Sequence, residues 1–375
     1  MARSDVLEAS YNSRIARILR AINLDPVLFL GLLLLTAAGL GILYSASDGS
    51  ADMVQKQLIR ASLAFMVMVV VAQIPQRQLY LWSPWFFALS VVLLVLVLAA
   101  GDIGKGAQRW LDLYVVKFQP SEMMKLAMPM MLAWYLSEKP LPPTWKPLLL
   151  AAVLLIGPTV LIAAQPDLGT SILVAAAGFL VVFLAGIRWR VLLVVMLAGL
   201  AFIPVLWQMM HDYQKQRVLT LLNPESDPLG TGYHIIQSKI AIGSGGLYGK
   251  GWLNGTQSQL DFLPERHTDF IFAVFAEEFG MMGAIVLLAL YMFIVLRGLY
   301  IASKAQDSFG RLLAGSLSLT FFVYLFVNVG MVSGILPVVG VPLPLVSYGG
   351  TSMVTLMAGF GMLMSINSNR RLLSR

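Results

Sequence analysis

One stretch of the chain, from Tyr233 to Gly280, gathers most of the residue types that could do chemistry. It reads YHIIQSKIAIGSGGLYGKGWLNGTQSQLDFLPERHTDFIFAVFAEEFG, where polar, charged and glycine residues crowd together before an apolar run begins at Phe270. Asp269 is the last acidic residue before that run, so we expect its carboxylate to act chemically at the edge of a membrane. The competing interpretation is that Thr268 or Asp269 only caps the following helix.

Three basic residues in the earlier segment GDIGKGAQRWLDLYVVKFQPSEMMK indicate an anion site. Arg109, Lys117 and Lys125 lie on the side of the membrane predicted to be outside, where basic residues oppose the usual charge bias. The anions available there are lipid phosphates. A glycine-rich loop, GSGGLYGKG at 243–251, could also cradle phosphate, although it lacks the Walker spacing and an ordinary flexible loop is the better explanation.

The elements that must position these residues are membrane-spanning helices. The chain is 58% hydrophobic and only 12% charged, and the charges fall between apolar runs of about 20 residues, long enough to cross a bilayer as helix. We therefore predict an all-α polytopic membrane protein, a bundle of about ten transmembrane helices. The predicted spans are 27–46, 57–74, 81–100, 121–138, 147–165, 169–187, 189–207, 270–296, 312–335 and 347–366.

Charge distribution predicts the orientation of the bundle. With the N-terminus inside, the inner segments hold 15 of the 26 Lys and Arg residues and five acidic residues. The positive-inside rule then places both termini in the cytoplasm. This bias explains the net charge of +7 without a nucleic-acid partner, and the absence of cysteine excludes disulfides and thiol chemistry.

Four regions follow from this topology. Residues 1–26 form a cytoplasmic tail, in which basic residues at helical spacing (Arg14, Arg17 and Arg20) suggest either an interfacial helix or a simple positive flank. Residues 27–207 hold spans 1–7. Residues 208–268 form one large outer loop, with a short helix around 233–242 predicted to lie on the outer leaflet. Residues 269–375 hold spans 8–10 and a short cytoplasmic C-terminus.

Local signals mark where several elements begin or break. Pro120 suits the first turn of a helix, where Glu122 is favoured by the helix dipole, and Asp167 is a plausible cap for span 6. Lys56, at the start of span 2, could simply snorkel to the interface. The segment PVVGVPLPLVSYGGTSM carries three prolines and a Gly-Gly pair, so it cannot be a regular helix. We predict that it re-enters the membrane and lines a cavity.

Five motifs in the chain resemble the signatures of the SEDS family (shape, elongation, division and sporulation), and they occur in the family's order over nearly the whole chain. They are KFQPSE at 117–122, AAQPDLGTS at 163–171, IGSGGLYGKG at 242–251, FLPERHTDFIF at 262–272 and GVPLPLVSYGG at 340–350. The short tails and the sequence of residues 233–272 are most similar to those of the elongation branch of that family.

The resemblance implies a ten-helix inner-membrane glycosyltransferase for cell elongation and rod shape. Its substrate would be lipid II, the undecaprenyl-pyrophosphate-linked disaccharide-pentapeptide, polymerised into glycan strands. A class B penicillin-binding protein would be its partner, together with other elongation-complex membrane proteins. The family's essential aspartate corresponds to Asp269 of this chain, with the active site facing the periplasm.

In that reaction Asp269 would be the general base and the anomeric carbon would invert. Pyrophosphate is a stable leaving anion, so no general acid is needed. Cations would stabilise it, and a divalent ion could bridge it, although no cofactor is demanded by the sequence. The residues expected to bind substrate are Lys117, Arg109, Glu122, Lys239, Glu265, His267, Lys56, Gly245 and Gly246.

Two other functions fit the same lipid. A lipid II flippase would use the same anion-binding groups, but it would need polar residues through the bundle that are reachable from both leaflets. A non-enzymatic scaffold for the penicillin-binding protein would not need the lysines and Asp269 together. In this chain the polar motifs gather on the outer side, which favours the enzyme.

Overall fold

The structure is a computed structural model of the 375-residue chain. It describes residues 23–104, 107–112, 117–210, 212–227, 230–259, 263 and 265–368. The tail with the predicted interfacial helix lies outside the described residues, as does the end of the chain from 369 onward.

The first half of the chain folds into seven long helices. They are α1 (Pro26–Ala46), α2 (Ala51–Ala72), α3 (Gln76–Ala100), α4 (Pro120–Ser137), α5 (Trp145–Ala164), α6 (Leu168–Leu184) and α7 (Trp189–Met209). Between α3 and α4 lie three short strands, β1 (Asp102–Gly104), β2 (Ala107–Asp112) and β3 (Lys117–Phe118), which pair antiparallel in that order. The sequence analysis did not predict this small sheet in a protein that is otherwise helical, as expected.

The second half begins with short elements and ends with long helices. After α8 (Asp212–Leu222) and a 3₁₀ turn (Pro224–Ser226) come α9 (Thr231–Ser244) and α10 (Thr256–Gln259), followed by α11 (Ile271–Ser303), α12 (Ser308–Val332) and α13 (Thr351–Ser368). The predicted outer loop is therefore largely helical. The predicted short helix is α9, and it packs one face against α11 and α12, where Ile235 and Ser238 are buried.

Six helices in the described part of the chain are long and apolar enough to cross a membrane by length and composition, namely α1, α2, α3, α5, α11 and α12. The other four predicted spans coincide with α4, α6, α7 and α13, which do not meet that criterion in full. The chain is thus a multi-pass membrane protein, while the count of ten spans stays a prediction.

Helix packing brings the two ends of the chain together. Helix α2 packs along α13, α11 along α12 and α1, and α6 along α12. Residues 333–350 between α12 and α13 form no helix, as their prolines predict, yet Val341, Leu343, Leu345 and Val346 are buried in the bundle. We call residues 333–350 the re-entrant segment after the sequence prediction; their re-entry into the membrane and the lining of a cavity stay predictions. It lies among helices from both halves of the chain, and it meets the turn that carries Asp269.

Candidate functional site

The turn that precedes α11 holds the Glu-Arg-His-Thr-Asp sequence. The Thr268 hydroxyl donates to the carboxylate of Glu265 at 2.9 Å, and Glu265 itself has a positive φ of 51°. The N-cap of α11 is Phe270, so neither Thr268 nor Asp269 occupies the capping position. The capping interpretation is therefore wrong for this helix, and the Asp269 side chain is partly exposed.

Three consecutive backbone carbonyls hold this turn in place. The carbonyl of His267 accepts from the Tyr348 backbone N–H at 2.8 Å, and that of Thr268 accepts from the Ser347 hydroxyl at 2.5 Å. The carbonyl of Asp269 accepts from the Asn328 side-chain amide at 2.9 Å. Two of the donors belong to the re-entrant segment and one to α12, so the turn is fixed against both.

The re-entrant segment is itself anchored to two other helices. The amide of Gln57, on α2, donates to the Ser347 carbonyl at 3.2 Å and accepts from the Gly349 N–H at 3.3 Å. The hydroxyl of Tyr291, on α11, donates to the Pro344 carbonyl at 2.5 Å. Both side chains are buried, as is usual for polar groups that satisfy backbone inside a membrane protein.

Two contacts connect the same turn to the end of α1. The Arg266 guanidinium pairs with Asp48 at 2.6 Å, and this arginine is largely buried. The Nδ1 atom of His267 lies 3.1 Å from the Ala46 carbonyl. Since a carbonyl oxygen only accepts, a hydrogen bond at this contact requires Nδ1 of His267 to be the donor.

Basic residues of α2 lie beside the re-entrant segment. The Arg60 guanidinium lies 4.4 Å from the centre of the Tyr348 ring, a cation–π contact. Lys56, one turn earlier, pairs with Asp52 at 2.6 Å in an exposed pair. Lys56 therefore already has an anionic partner, and its part in binding substrate stays a prediction.

Arg109 and Lys117 are carried by the small sheet. The Arg109 side chain, on β2, donates to the Pro166 carbonyl and lies 3.8 Å from the Asp167 carboxylate. Asp167 caps α6 by accepting from the Thr170 N–H at 3.2 Å, which confirms the predicted cap. The backbone of Lys117 forms β3, opposite β2, and its side chain lies outside the described part of the structure.

Glu122, which the sequence analysis expected to bind substrate, has a partner on its own helix. Its carboxylate pairs with Lys125 one turn along α4, at 2.7 Å. Both side chains are less than a tenth exposed, and the Lys125 ammonium also lies 5.3 Å from the Tyr324 ring centre. Lys125 is thus part of a buried ion pair rather than an outward-facing anion site.

A break in α11 organises the glycine-rich loop. Gly280 has φ of 64° and ψ of −163°, which interrupts the helix. The loop covers the interruption, because the N–H groups of Lys250 and Gly251 donate to the Glu277 and Glu278 carbonyls at 3.0 and 2.9 Å. In the other direction, the N–H groups of the two residues after the break donate to the carbonyls of residues 246 and 247.

Side chains reinforce this contact between loop and helix. The Lys250 ammonium pairs with the fully buried Glu277 at 2.7 Å, and Thr256 donates to the same carboxylate oxygen at 3.1 Å. The N–H groups of Gly245 and Gly246 donate to carbonyls at the end of α9, at 3.3 and 3.4 Å. These glycines therefore have a packing role, and their part in binding an anion stays a prediction.

Lys239 lies at the surface of α9. Its side-chain stem lies over Gly334 at the start of the re-entrant segment, and the residue is exposed. Further along that segment lies Gly340, where an added Cβ would lie 3.5 Å from the Asp269 Oδ2. The re-entrant segment thus contacts both Lys239 and Asp269.

Comparison with known proteins identifies the family. The family model for the FtsW, RodA and SpoVE cell cycle proteins matches residues 18–372. The chain belongs to the SEDS family. It is 58% identical to the peptidoglycan glycosyltransferase MrdB of Escherichia coli K12 over 355 residues, which cover 94% of this chain and 96% of MrdB.

Solved structures of relatives support the same SEDS fold. A chain described under "structural coordination of polymerization and crosslinking by a peptidoglycan synthase complex" is 31% identical, with a TM-score of 0.81, and the match covers 92% of this chain and 98% of that one. The rod shape determining protein RodA of Thermus thermophilus is 29% identical, with a TM-score of 0.70, and covers 92% of this chain and 97% of RodA.

In this SEDS protein, only some of the residues predicted to form the site are shown together. Asp269, His267 and Glu265 share one turn, whereas the described contacts of Lys56 are with Asp52 on its own helix. The sequence analysis missed three buried polar residues, Gln57, Asn328 and Ser347. The available signal was a lone amide or hydroxyl within or beside an apolar run, which in a membrane protein indicates a function or a buried partner.

Proposed function

We propose that the chain is a peptidoglycan glycosyltransferase that polymerises lipid II for cell elongation, with Asp269 as the general base. The observation that carries the proposal is the fixed position of Asp269. Its backbone and those of the two preceding residues are each held by a hydrogen bond, while its carboxylate is partly exposed and caps no helix. The 58% identity to a named peptidoglycan glycosyltransferase supports the same reaction.

The proposed step transfers one growing chain to a new acceptor. The 4-hydroxyl of the acceptor sugar attacks the anomeric carbon of the lipid-linked chain, and Asp269 takes the hydroxyl proton. The bond from that carbon to the pyrophosphate breaks with inversion, and the lipid pyrophosphate leaves as an anion. A positioned base of this kind contributes roughly 10²–10⁴ in rate.

Cations around the turn would stabilise the leaving pyrophosphate. The candidates are Arg109 and Lys117 of the small sheet, Lys239 of α9 and Lys56 of α2, while His267 and Glu265 would contact the sugars. Among the described residues, no three His, Asp or Glu side chains gather as a metal site. A divalent ion at the pyrophosphate would therefore take most of its ligands from the phosphates and water.

The partner we propose is a class B penicillin-binding protein that cross-links the new glycan. A solved relative belongs to a peptidoglycan synthase complex, which supports this choice. We place the membrane orientation with both termini in the cytoplasm and the turn before α11 on the periplasmic side. Other elongation-complex membrane proteins would join at surfaces that we do not assign.

The test compares the wild-type complex with Asp269→Asn in detergent, with labelled lipid II and the transpeptidase blocked. Asparagine keeps the size of the side chain but cannot take the proton, so polymer formation should fall by roughly 10² or more. Asp269→Glu should also be poor, because one methylene moves the carboxylate by about 1 Å. The control is Asp212→Asn, an exposed carboxylate on α8, which should keep wild-type activity.

The outcomes separate three functions. Wild-type polymer from the Asp269→Asn complex would show that this residue is not the base. If the wild-type complex itself makes no polymer, the enzyme proposal fails, and a flippase or a scaffold for the penicillin-binding protein becomes the better explanation. Detergent removes the leaflets, so transport alone produces no signal in this assay.

The orientation has its own test, which the absence of cysteine makes simple. Ser226→Cys, in the exposed 3₁₀ turn, should react with an impermeant thiol reagent added from the periplasmic side. Ser374→Cys should react only after the membrane is opened. Labelling of position 374 but not of position 226 in intact spheroplasts would reverse the proposed topology.

A further inference from the structure

The hydrogen bonds around Asp269 come from residues that the substrate cannot reach. Asn328 is fully buried in α12, and Ser347 is 4% exposed in the re-entrant segment. Their donors take the carbonyls of Asp269 and Thr268, at 2.9 and 2.5 Å. Neither residue can touch a lipid-linked sugar, so any effect on the reaction must pass through the backbone of the turn.

The turn needs these donors because α11 does not hold it. The first backbone hydrogen bond at the start of α11 runs from the Ala273 N–H to the Phe270 carbonyl, at 2.9 Å. The carbonyls of Thr268 and Asp269 lie before that ladder, and each is satisfied from outside the helix. The Thr268 and Asp269 carbonyls are thus held by the re-entrant segment and α12, in addition to the backbone bonds within the turn and its two contacts with the end of α1.

The orientation of the Asn328 amide is itself determined. Its Nδ2 donates both to the Asp269 carbonyl and to the Val341 carbonyl, the latter at 2.8 Å. A flipped amide would turn an oxygen toward two carbonyl oxygens, so only one orientation satisfies them. Ser347 is similarly fixed, because its hydroxyl also accepts from the Leu343 N–H at 2.8 Å.

We propose that Asn328 and Ser347 are positioning residues, which set the place of the Asp269 carboxylate through the carbonyls of Asp269 and Thr268. This inference rests on the proposed role of Asp269 as the base. A displacement of about 1 Å in a positioned catalytic group can lower the rate about 10²-fold. Loss of either donor should therefore lower kcat by roughly 10–100-fold, with KM for lipid II changed less than about twofold.

The experiment uses matched pairs in the full complex. Threonine and valine at position 347 have nearly the same shape, with a methyl group in valine replacing the hydroxyl of threonine. The ratio of their activities therefore reports the loss of this hydroxyl, which bonds both the Thr268 carbonyl and the Leu343 N–H. Asn328→Leu removes the amide at similar size. Its control is Ser316→Ala, also on α12, which removes a buried hydrogen bond to the Ala177 carbonyl at 2.7 Å, far from the turn.

The measurements are kcat and KM per folded complex, with wild type and Asp269→Asn alongside. We expect kcat of Ser347→Thr and Ser316→Ala to stay within threefold of the wild-type value. Ser347→Val and Asn328→Leu should have a lower kcat with little change in KM. Hydrogen exchange gives a second readout that does not depend on activity. Amides of residues 267–271 should exchange faster in Asn328→Leu, and not in Ser316→Ala.

Several results would overturn the proposal. Equal kcat for Ser347→Thr and Ser347→Val would show that the Ser347 hydroxyl has no positioning role. Wild-type kcat in Asn328→Leu would show the same for the Asn328 amide. If amide hydrogen exchange in residues 267–271 is unchanged in Asn328→Leu, the amide does not hold the backbone of the turn. This result can be obtained even from a preparation with no polymerase activity. Failure of the proposed function looks different, because wild type would then make no polymer or Asp269→Asn would make the full amount.

Discussion

Breaking the buried ion pair of α4 gives the sharpest test of the energetics of this bundle. In Lys125→Met, the Glu122 carboxylate loses the ammonium that lies 2.7 Å away, and its side chain is only 9% exposed. Its second oxygen has no hydrogen-bond partner among the described residues. Removal of one partner from a buried pair typically destabilises by about 3–5 kcal/mol, because a charge is left buried and uncompensated.

The reciprocal and double substitutions separate charge from packing. Glu122→Gln should destabilise by a similar amount, because it leaves the Lys125 ammonium buried. The double variant Glu122→Gln with Lys125→Met removes both charges and should be more stable than either single variant. A double variant as unstable as the sum of the two single losses would show that the two side chains act independently.

The assay heats samples to a series of temperatures and measures by size-exclusion chromatography how much protein stays monodisperse. The thermal midpoint is the temperature at which half of it remains. At about 2 °C per kcal/mol, the low end for large chains, the Lys125→Met midpoint should fall by roughly 6–10 °C. The control is Lys56→Met, which breaks a 2.6 Å pair whose side chains are more than half exposed. Exposed pairs contribute about 0–1 kcal/mol. Equal shifts in the two variants would refute the argument from burial.

Three further predictions use other parts of the chain. Lys117→Ala should reduce polymer formation more than Lys146→Ala, and arginine at 117 should restore activity better than glutamine, since phosphate requires charge; equal activity of the arginine and glutamine forms would remove Lys117 from the site. Gly249→Ala should lower the thermal midpoint, because its Cβ would lie 2.0 Å from the Glu278 carbonyl at φ of 80°, whereas Gly243→Ala meets nothing within 4 Å. Burial lowers the pKa of His234 from its ordinary value of 6.5, so protonation favours the unfolded chain. The thermal midpoint should therefore fall as the pH drops below about 6.5. The dependence of the midpoint on pH should be weaker in His234→Leu.

The features predicted best from the sequence are those that depend on residues close together in the chain, such as a helix cap and a proline-rich break. Asp167 follows a proline and directly precedes a run of apolar and small residues, and it does cap α6. The prolines at 337, 342 and 344 prevent a helix, and the re-entrant segment is irregular, with most of residues 341–347 buried. In both cases the outcome depends on backbone restrictions within a few residues, which a single sequence contains.

What could not be predicted depends on which segments meet. The Asn328 amide reaches Asp269, 59 residues away, and the Ser347 hydroxyl reaches Thr268, 79 residues away, so only the packed bundle reveals these bonds. The small sheet was missed because its strands are two to six residues long and carry no clear alternation. The ion pair of Glu122 and Lys125 could have been predicted from the sequence, since residues three apart on a helix are neighbours.

The break in α11 also bears on how the chain enters the membrane. Two carbonyls before Gly280 and two N–H groups after it have their partners in residues 246–251, and Met281 and Met282 are about half exposed on the outer face of the helix. Without that loop these backbone groups would lose their partners, and each group left unsatisfied within a bilayer costs several kcal/mol. The ribosome makes the loop before it makes α11. We therefore expect release of α11 from the insertion machinery into lipid to wait until the loop has crossed and can close over the break.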